Sequence, residues 1–235
     1  MKIRINGQLL LLMLTEMLLK KGARLKQLNT DGILYLVPKD VDYQAILKEW
    51  EEITKLTLET EEYEAFYQFA INDYLAIGKG YKETKDKKLI KQKGLFIDKV
   101  SLGKGMQPLI IPKALNAYFA DKIPIEETIT SSRDINDFLT YQKPDKKFKV
   151  EYNDKIVTRI NRYYASTDGC FLYKCIVDED GNRSNYTNML KSSGVTLAND
   201  LTKIKEFPTN INYRYYIKEC KKILDPFIHR QLTLF

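Results

Sequence analysis

Histidine and tryptophan occur once each, as His229 and Trp50. With one histidine the chain cannot build a His-rich metal site, and any Ser-His-Asp or Cys-His arrangement would depend on that single residue. There are three cysteines, Cys170, Cys175 and Cys220, and no Cys-x-x-Cys. An odd count without paired spacing excludes a disulfide framework and a zinc ribbon, and it fits a reducing cytoplasm. Long apolar runs are missing too. Leu9–Leu14 is broken by Thr15 and Glu16, well short of the roughly 20 residues that span a bilayer. No small-x-small cleavage site follows it, so Lys2, Arg4 and the leucines read as a core helix rather than a signal peptide. Gly78-Lys79-Gly80 and Gly103-Lys104-Gly105 lack the spacing and trailing Lys-Ser/Thr of a phosphate-binding loop. The acidic turn Asp178–Asn182 has its glycine at the wrong position for a calcium loop.

What is present is a globular chain. Its 235 residues are 44% hydrophobic and 29% charged, with a formal net charge of +7. That is enough for one large domain or two small ones with a real core. The positive balance permits a polyanionic partner without demanding one. Tyrosine is abundant, at 16 residues, and offers flat faces and hydroxyls suited to nucleotides or to filling sheets.

The most informative stretch is Lys26 to Val37. Apolar and β-favouring residues flank Asn29-Thr30-Asp31-Gly32, a strand–turn–strand pattern with glycine supplying backbone freedom. A carboxylate at a hairpin tip is held outward, where a metal ligand can work. Around it the pattern predicts a leucine-rich helix over 8–21 capped by Gly22, and a second helix over 42–54. Further on it predicts a short strand at 56–59, a brief helix over 62–68, and strands over 69–77 and 89–96. Ala114–Phe119 belongs to a helix expected over 111–120, and another helix is expected over 132–139. Strands are expected between 156 and 186, and a last helix over 210–224. Thr167-Asp168-Gly169 reads as an ordinary hairpin turn, because its flanks differ from those of the first.

Helix, hairpin with Asp31 at its tip, and then Lys91-Gln92-Lys93-Gly94 occur in an order that resembles the C-terminal half of a B-family DNA polymerase palm. The likeness is to the compact bacteriophage enzymes. In that family the turn usually reads Asp-Thr-Asp-Ser, so Asp31 matches the indispensable metal ligand and Asn29 departs from the first Asp. An amide can still accept or weakly ligate through its carbonyl oxygen, but it brings no charge. The resemblance implies a catalytic turn of Asn29, Thr30 and Asp31, with Asp31 the metal ligand for Mg2+. It implies that Lys91 and Lys93 grip backbone phosphates and that Gly94 allows close approach to the duplex. Gln231-Leu232-Thr233-Leu234-Phe235 matches the peptide with which bacterial polymerases hold a sliding clamp: Leu234 and Phe235 would fill an apolar pocket and Gln231 would bond at its rim.

The expected fold is α+β: a partial palm over 1–100, with a small antiparallel sheet and helices on one face; a mostly helical thumb with a β-hairpin insertion over 101–228; and a flexible clamp-binding tail over 229–235. The expected partners are primer-template DNA, dNTP, an upstream polymerase polypeptide and a sliding clamp, in the cytoplasm of a bacterial host, with no membrane. The first palm Asp, the finger lysine and the exonuclease of the family have no counterpart here. A split subunit or fragment that is inactive alone is therefore expected. The alternative is a non-catalytic DNA- and clamp-binding module derived from a polymerase.

Overall fold

The computed structural model describes residues 2–29, 32–100, 105–191 and 193–231, and the side chains of all of these except 2–4, 105, 106 and 228–231. The chain forms two compact units, residues 1–61 and 62–235.

In the first unit, helix α1 (Lys2–Lys20) is followed by the antiparallel hairpin β1 (Arg24–Leu28) and β2 (Ile33–Leu36), then by α2 (Tyr43–Thr54). Gly22, at φ +88°, turns the chain after α1 in the left-handed region that glycine enters freely. Asp42 starts α2 by accepting the Ala45 N–H at 3.2 Å. Ile46, Leu47 and Trp50 fall on one face of α2 and are buried with Leu14, Leu18 and Ala23. The Trp50 indole N–H donates to the Leu10 carbonyl of α1 at 2.9 Å, so its polar end is satisfied inside the core.

The second unit opens with a three-stranded antiparallel sheet of β3 (Tyr63–Ala70), β4 (Asp73–Gly78) and β5 (Ile90–Lys93). The short α3 (Tyr81–Thr84) lies between β4 and β5. Next come β6 (Gly105–Met106), α4 (Ile110–Asp121) and α5 (Ile125–Ser131). The strands β7 (Thr140–Gln142), β8 (Lys149–Tyr152), β9 (Lys155–Val157), β10 (Asn161–Ser166), β11 (Leu172–Val177), β12 (Arg183–Asn188) and β13 (Gly194–Leu197) follow, and α6 (Tyr213–Gln231) completes the unit. Its strands form two four-stranded sheets, ordered β13-β10-β7-β6 and β12-β11-β8-β9. Tyr216, Cys220 and Leu224, four residues apart on α6, are buried with Tyr163 and Ala165 of β10, Ile110, Ala114, Leu115 and Phe119 of α4, Leu75 of β4 and Phe96 just after β5. The Tyr216 hydroxyl donates to the Phe138 carbonyl and accepts from the Ala165 N–H, each at 2.8 Å, stitching α6 to the sheet.

The α+β class and the antiparallel sheets are as the sequence indicated. Several elements differ. Residues 63–70 are strand β3, not helix: Tyr63, Phe66 and Tyr67 favour a pleated surface, and β4 folds back as a pairing partner. The strand expected over 69–77 is cut by the turn at Ile71-Asn72. The helix expected over 132–139 does not form: α5 ends at Ser131, and 132–139 holds only a single turn at Ile135–Asp137. There the Asp134 side chain takes the Asn136 N–H and offers the backbone an alternative to helix. Beyond residue 100 the chain is not mostly helical. Among the described residues it carries eight strands beside three α-helices, because β-branched and aromatic residues between 140 and 197 find sheet partners. No strand forms over 56–59, where the Leu58 N–H is held by Glu51 of α2. Finally, α6 continues through Pro226 to Gln231, so His229, Arg230 and Gln231 of the expected tail are helical.

Candidate functional site

The hairpin closes where the sequence places it. Leu28 pairs with Ile33, and the Asn29 N–H donates to the Gly32 carbonyl at 2.8 Å, which joins the two strands at Asn29 and Gly32. Thr30 and Asp31 lie outside the described residues. Ile33 and Tyr35 pack against the core of the first unit and hold the base of the hairpin. The Asn29 side-chain oxygen accepts a hydrogen bond from Gln27 Nε2 at 2.8 Å. The one atom through which Asn29 could ligate is thus engaged within its own hairpin, and Asp31 is the only carboxylate of the turn.

The basic strand belongs to the second unit. In β5, Lys91 stands opposite Ala76 and Lys93 opposite Tyr74. The two-residue repeat of a strand puts both lysines on one face, and both are exposed. Gln92 turns the other way and donates to Asp98. On the lysine face, the Tyr74 ring stacks on Phe66 with centroids 5.0 Å apart, and Lys93 Nζ lies 5.7 Å from the Tyr74 centroid. An ammonium over a ring face is held by the ring quadrupole. Tyr74 lies in the strand expected over 69–77, whereas sequence reasoning did not single out Phe66. The signal for Phe66 was its pairing in β3, which the expected helix over 62–68 had hidden.

Gly94 follows directly, at φ +58°. A Cβ there would collide with the Asp73 carboxylate and the Asn72 carbonyl. The Leu95 N–H donates to Asp73 Oδ1 at 3.0 Å. The glycine therefore lets β5 press against the turn before β4, and the close approach it permits is internal to the sheet.

The neighbouring lysines are not a uniformly solvated run. Lys79 pairs with Glu62 at 2.6 Å, Lys82 with Glu64 at 3.5 Å, and Lys85 with Asp121 at 2.8 Å. Desolvation pushes the Glu64 carboxyl upward, but the Gly80 N–H and Lys82 outweigh it and leave the group below its ordinary range. Carboxylates thus neutralise part of the charge between β4 and β5.

The second Thr-Asp-Gly is a structural junction. The Thr167 N–H donates to the Asn210 carbonyl, Asn210 Nδ2 donates to Asp168 at 2.6 Å, and Gly169 lies against the backbone of Val195. These contacts tie the segment before α6 to β10 and β13. Of the tail residues, Gln231 ends α6, and Leu232, Leu234 and Phe235 lie outside the described residues.

No family model matches this chain, and neither a characterised protein nor a solved structure is detectably similar to it. Among the described residues, no helix is long and apolar enough to cross a membrane.

Proposed function

We propose that this chain supplies part of a template-directed DNA polymerase: one metal-binding carboxylate, a grip on the primer-template backbone and a tether to a sliding clamp. The observation that carries the reading is the hairpin, whose strands are joined at Asn29 and Gly32, between which the sequence carries Asp31. The exposed pair Lys91 and Lys93, placed on one strand face beside Tyr74, supports the phosphate-binding part. The match of 231–235 to clamp-binding peptides supports the tether.

Two divalent ions roughly 3.5–4 Å apart supply the charge neutralisation and hydroxyl activation that nucleotidyl transfer requires. The donor this chain offers is a hard carboxylate oxygen, suited to Mg2+, and of its residues Asp31 would hold it. Asn29 accepts a hydrogen bond from Gln27 within the hairpin and brings no charge. Lys91 and Lys93 neutralise backbone phosphates. A bridging pair needs a second carboxylate, which the reading assigns to an upstream polypeptide.

Primer extension with Mg2+ tests this: the chain alone, then mixed with the polypeptide encoded immediately upstream, each beside Asp31→Ala. Synthesis only in the mixture, abolished by Asp31→Ala, is the expected result. DNA and clamp binding without synthesis in any mixture would identify the non-catalytic module instead.

A further inference from the structure

The face of the β3-β4-β5 sheet that bears Lys91 and Lys93 also bears aromatic rings. Strand pairing sets Tyr74 opposite Lys93, and Ala76 opposite both Phe66 and Lys91. Directly opposed residues share a face, so Phe66, Tyr74, Lys91 and Lys93 stand together. Leu75, Ile77 and Ile90 take the other face and pack into the apolar interior of the second unit. Phe66 and Tyr74 stack with centroids 5.0 Å apart and 27° between their planes. Tyr63 meets Phe66 edge-on at 5.9 Å. The stacked rings are half-buried and the two lysines are exposed. The acidic residues of these three strands are committed elsewhere. Glu64 is held by Lys82 and by the Gly80 N–H, and Asp73 accepts from the Leu95 N–H. The lysines of β5 therefore set the charge beside the rings.

That arrangement selects its ligand. Two ammoniums stand about 6.8 Å apart along β5, with a ring one strand spacing, about 4.8 Å, to the side. They suit a chain that repeats an anion along its backbone and carries a flat group beside each one, as a nucleic-acid strand does. In a duplex the base faces are covered by one another and only base edges reach the grooves. An unpaired strand offers the faces that a ring can stack on. An apolar protein surface would instead have to bury both ammoniums, and an acidic peptide would leave the rings unused. Lys93 reaches Tyr74 from β5, its Nζ 5.7 Å from the ring centroid, while Phe66 reaches the ring from β3. The ammonium contact is weak at an exposed site, and the flexible lysine stem releases it easily. Once Lys93 moves onto a phosphate, the β5 side of the ring is open to a base, and Phe66 still holds the ring in place.

We infer that this sheet face is a stacking platform for unpaired DNA: Tyr74, backed by Phe66, takes the face of one base while Lys91 and Lys93 hold adjacent phosphates. The inference deepens the backbone grip of the proposed function, and it rests on that reading for the phosphate contacts and for DNA rather than RNA.

The test titrates the full-length chain, by fluorescence anisotropy, with a labelled oligothymidylate of about ten nucleotides, within the usual site size of such surfaces. The same backbone made of abasic sites, a duplex of equal length and the matching oligouridylate are titrated beside it. Wild type should bind the oligothymidylate about tenfold more tightly than the abasic strand. Tyr74→Leu should remove that tenfold difference and leave the abasic and duplex affinities, and the salt slope, unchanged. Tyr74→Phe, which keeps the ring, should bind as wild type. Lys91→Ala/Lys93→Ala should weaken binding of every ligand and lower the salt slope. Far-UV spectra check that the variants fold, and the comparison of base-bearing with abasic strands on wild type needs no variant. If the lysine variant loses affinity but wild type binds the abasic strand as tightly as the oligothymidylate, the platform alone is overturned. Equal losses for duplex and single strand in Tyr74→Leu would also overturn it. Unchanged binding in the lysine variant would overturn the phosphate grip of the proposed function and the platform with it. Tighter binding of the oligouridylate than of the oligothymidylate would overturn DNA as the occupant.

Discussion

Gly94 shows how one residue can be legible in the sequence for one reason and needed in the structure for another. The sequence pointed to a glycine after two lysines, and a duplex approaching the strand would explain it. The fold gives a nearer cause, the Asp73 carboxylate and Asn72 carbonyl packed where a Cβ would stand. Gly94→Ala should destabilise the second unit by about 3 kcal/mol, from the left-handed backbone and the displaced turn together. Gly181 has φ +85° and nothing within 4 Å of an added Cβ. Gly181→Ala should therefore cost only about 1 kcal/mol. Urea unfolding of the two variants separates backbone strain from collision.

Buried hydroxyls and thiols set the alkaline limit of the same unit. Burial pushes Cys220 from 9.0 up to about 12 and Tyr215 from 10.0 up to about 12, and it raises Tyr163 and Tyr216 as well. Each is neutral when protonated, so the folded chain keeps protons that the unfolded chain would release. Stability from this source is complete below about pH 9 and is lost as pH rises from there through 12. The urea midpoint should hold between pH 7 and 8.5 and fall steadily by pH 10.5, with Cys220→Ala reducing the slope.

At the scale of elements, β5 carries the clearest consequence. Lys91 and Lys93 stand two residues apart on one exposed face. If they contact phosphates, the double substitution to Ala should weaken DNA binding about equally for all sequences. It should also reduce the slope of log affinity against log salt by about 2. A salt titration of binding measures both, and an unchanged slope would remove these lysines from the interface. This strand was readable because lysine alternation survives any context. Its neighbour β3 was not, because Glu-rich flanks suggest helix until β4 supplies a partner for Tyr63, Phe66 and Tyr67. The helix expected over 132–139 failed similarly. α5 ends at Ser131, and the Asp134 side chain then takes the Asn136 N–H, so that only one turn forms where a helix was expected.

For the molecule as a whole, the two units differ in self-sufficiency. The second buries a broad core drawn from α4, α5, α6 and the sheets. Among the described residues the first buries six apolar side chains and leaves Leu9, Leu12 and Leu19 of α1 exposed. Small units with little core are marginal when isolated. A fragment of residues 62–235 should fold cooperatively, as judged by its near-UV spectrum and a single urea transition. A fragment of residues 1–61 should show weak or no cooperative unfolding.

The amino-acid sequence by itself determined the local features: the pairing of the strands on either side of 29–32, the start of α2 at Asp42, the end of α1 at Gly22 and the alternation of Lys91 with Lys93. Each depends on residues within one turn of the backbone, where capping, glycine and two-residue periodicity act directly. Only the tertiary structure decided the rest. It decided that 63–70 pairs as a strand, that Gly94 serves Asp73, that Gln27 engages Asn29, and that one apolar side of α1 is left uncovered. Those outcomes depend on side chains brought together from different elements or across a pleat. Burial and collision there are properties of the assembled surface rather than of any stretch of chain.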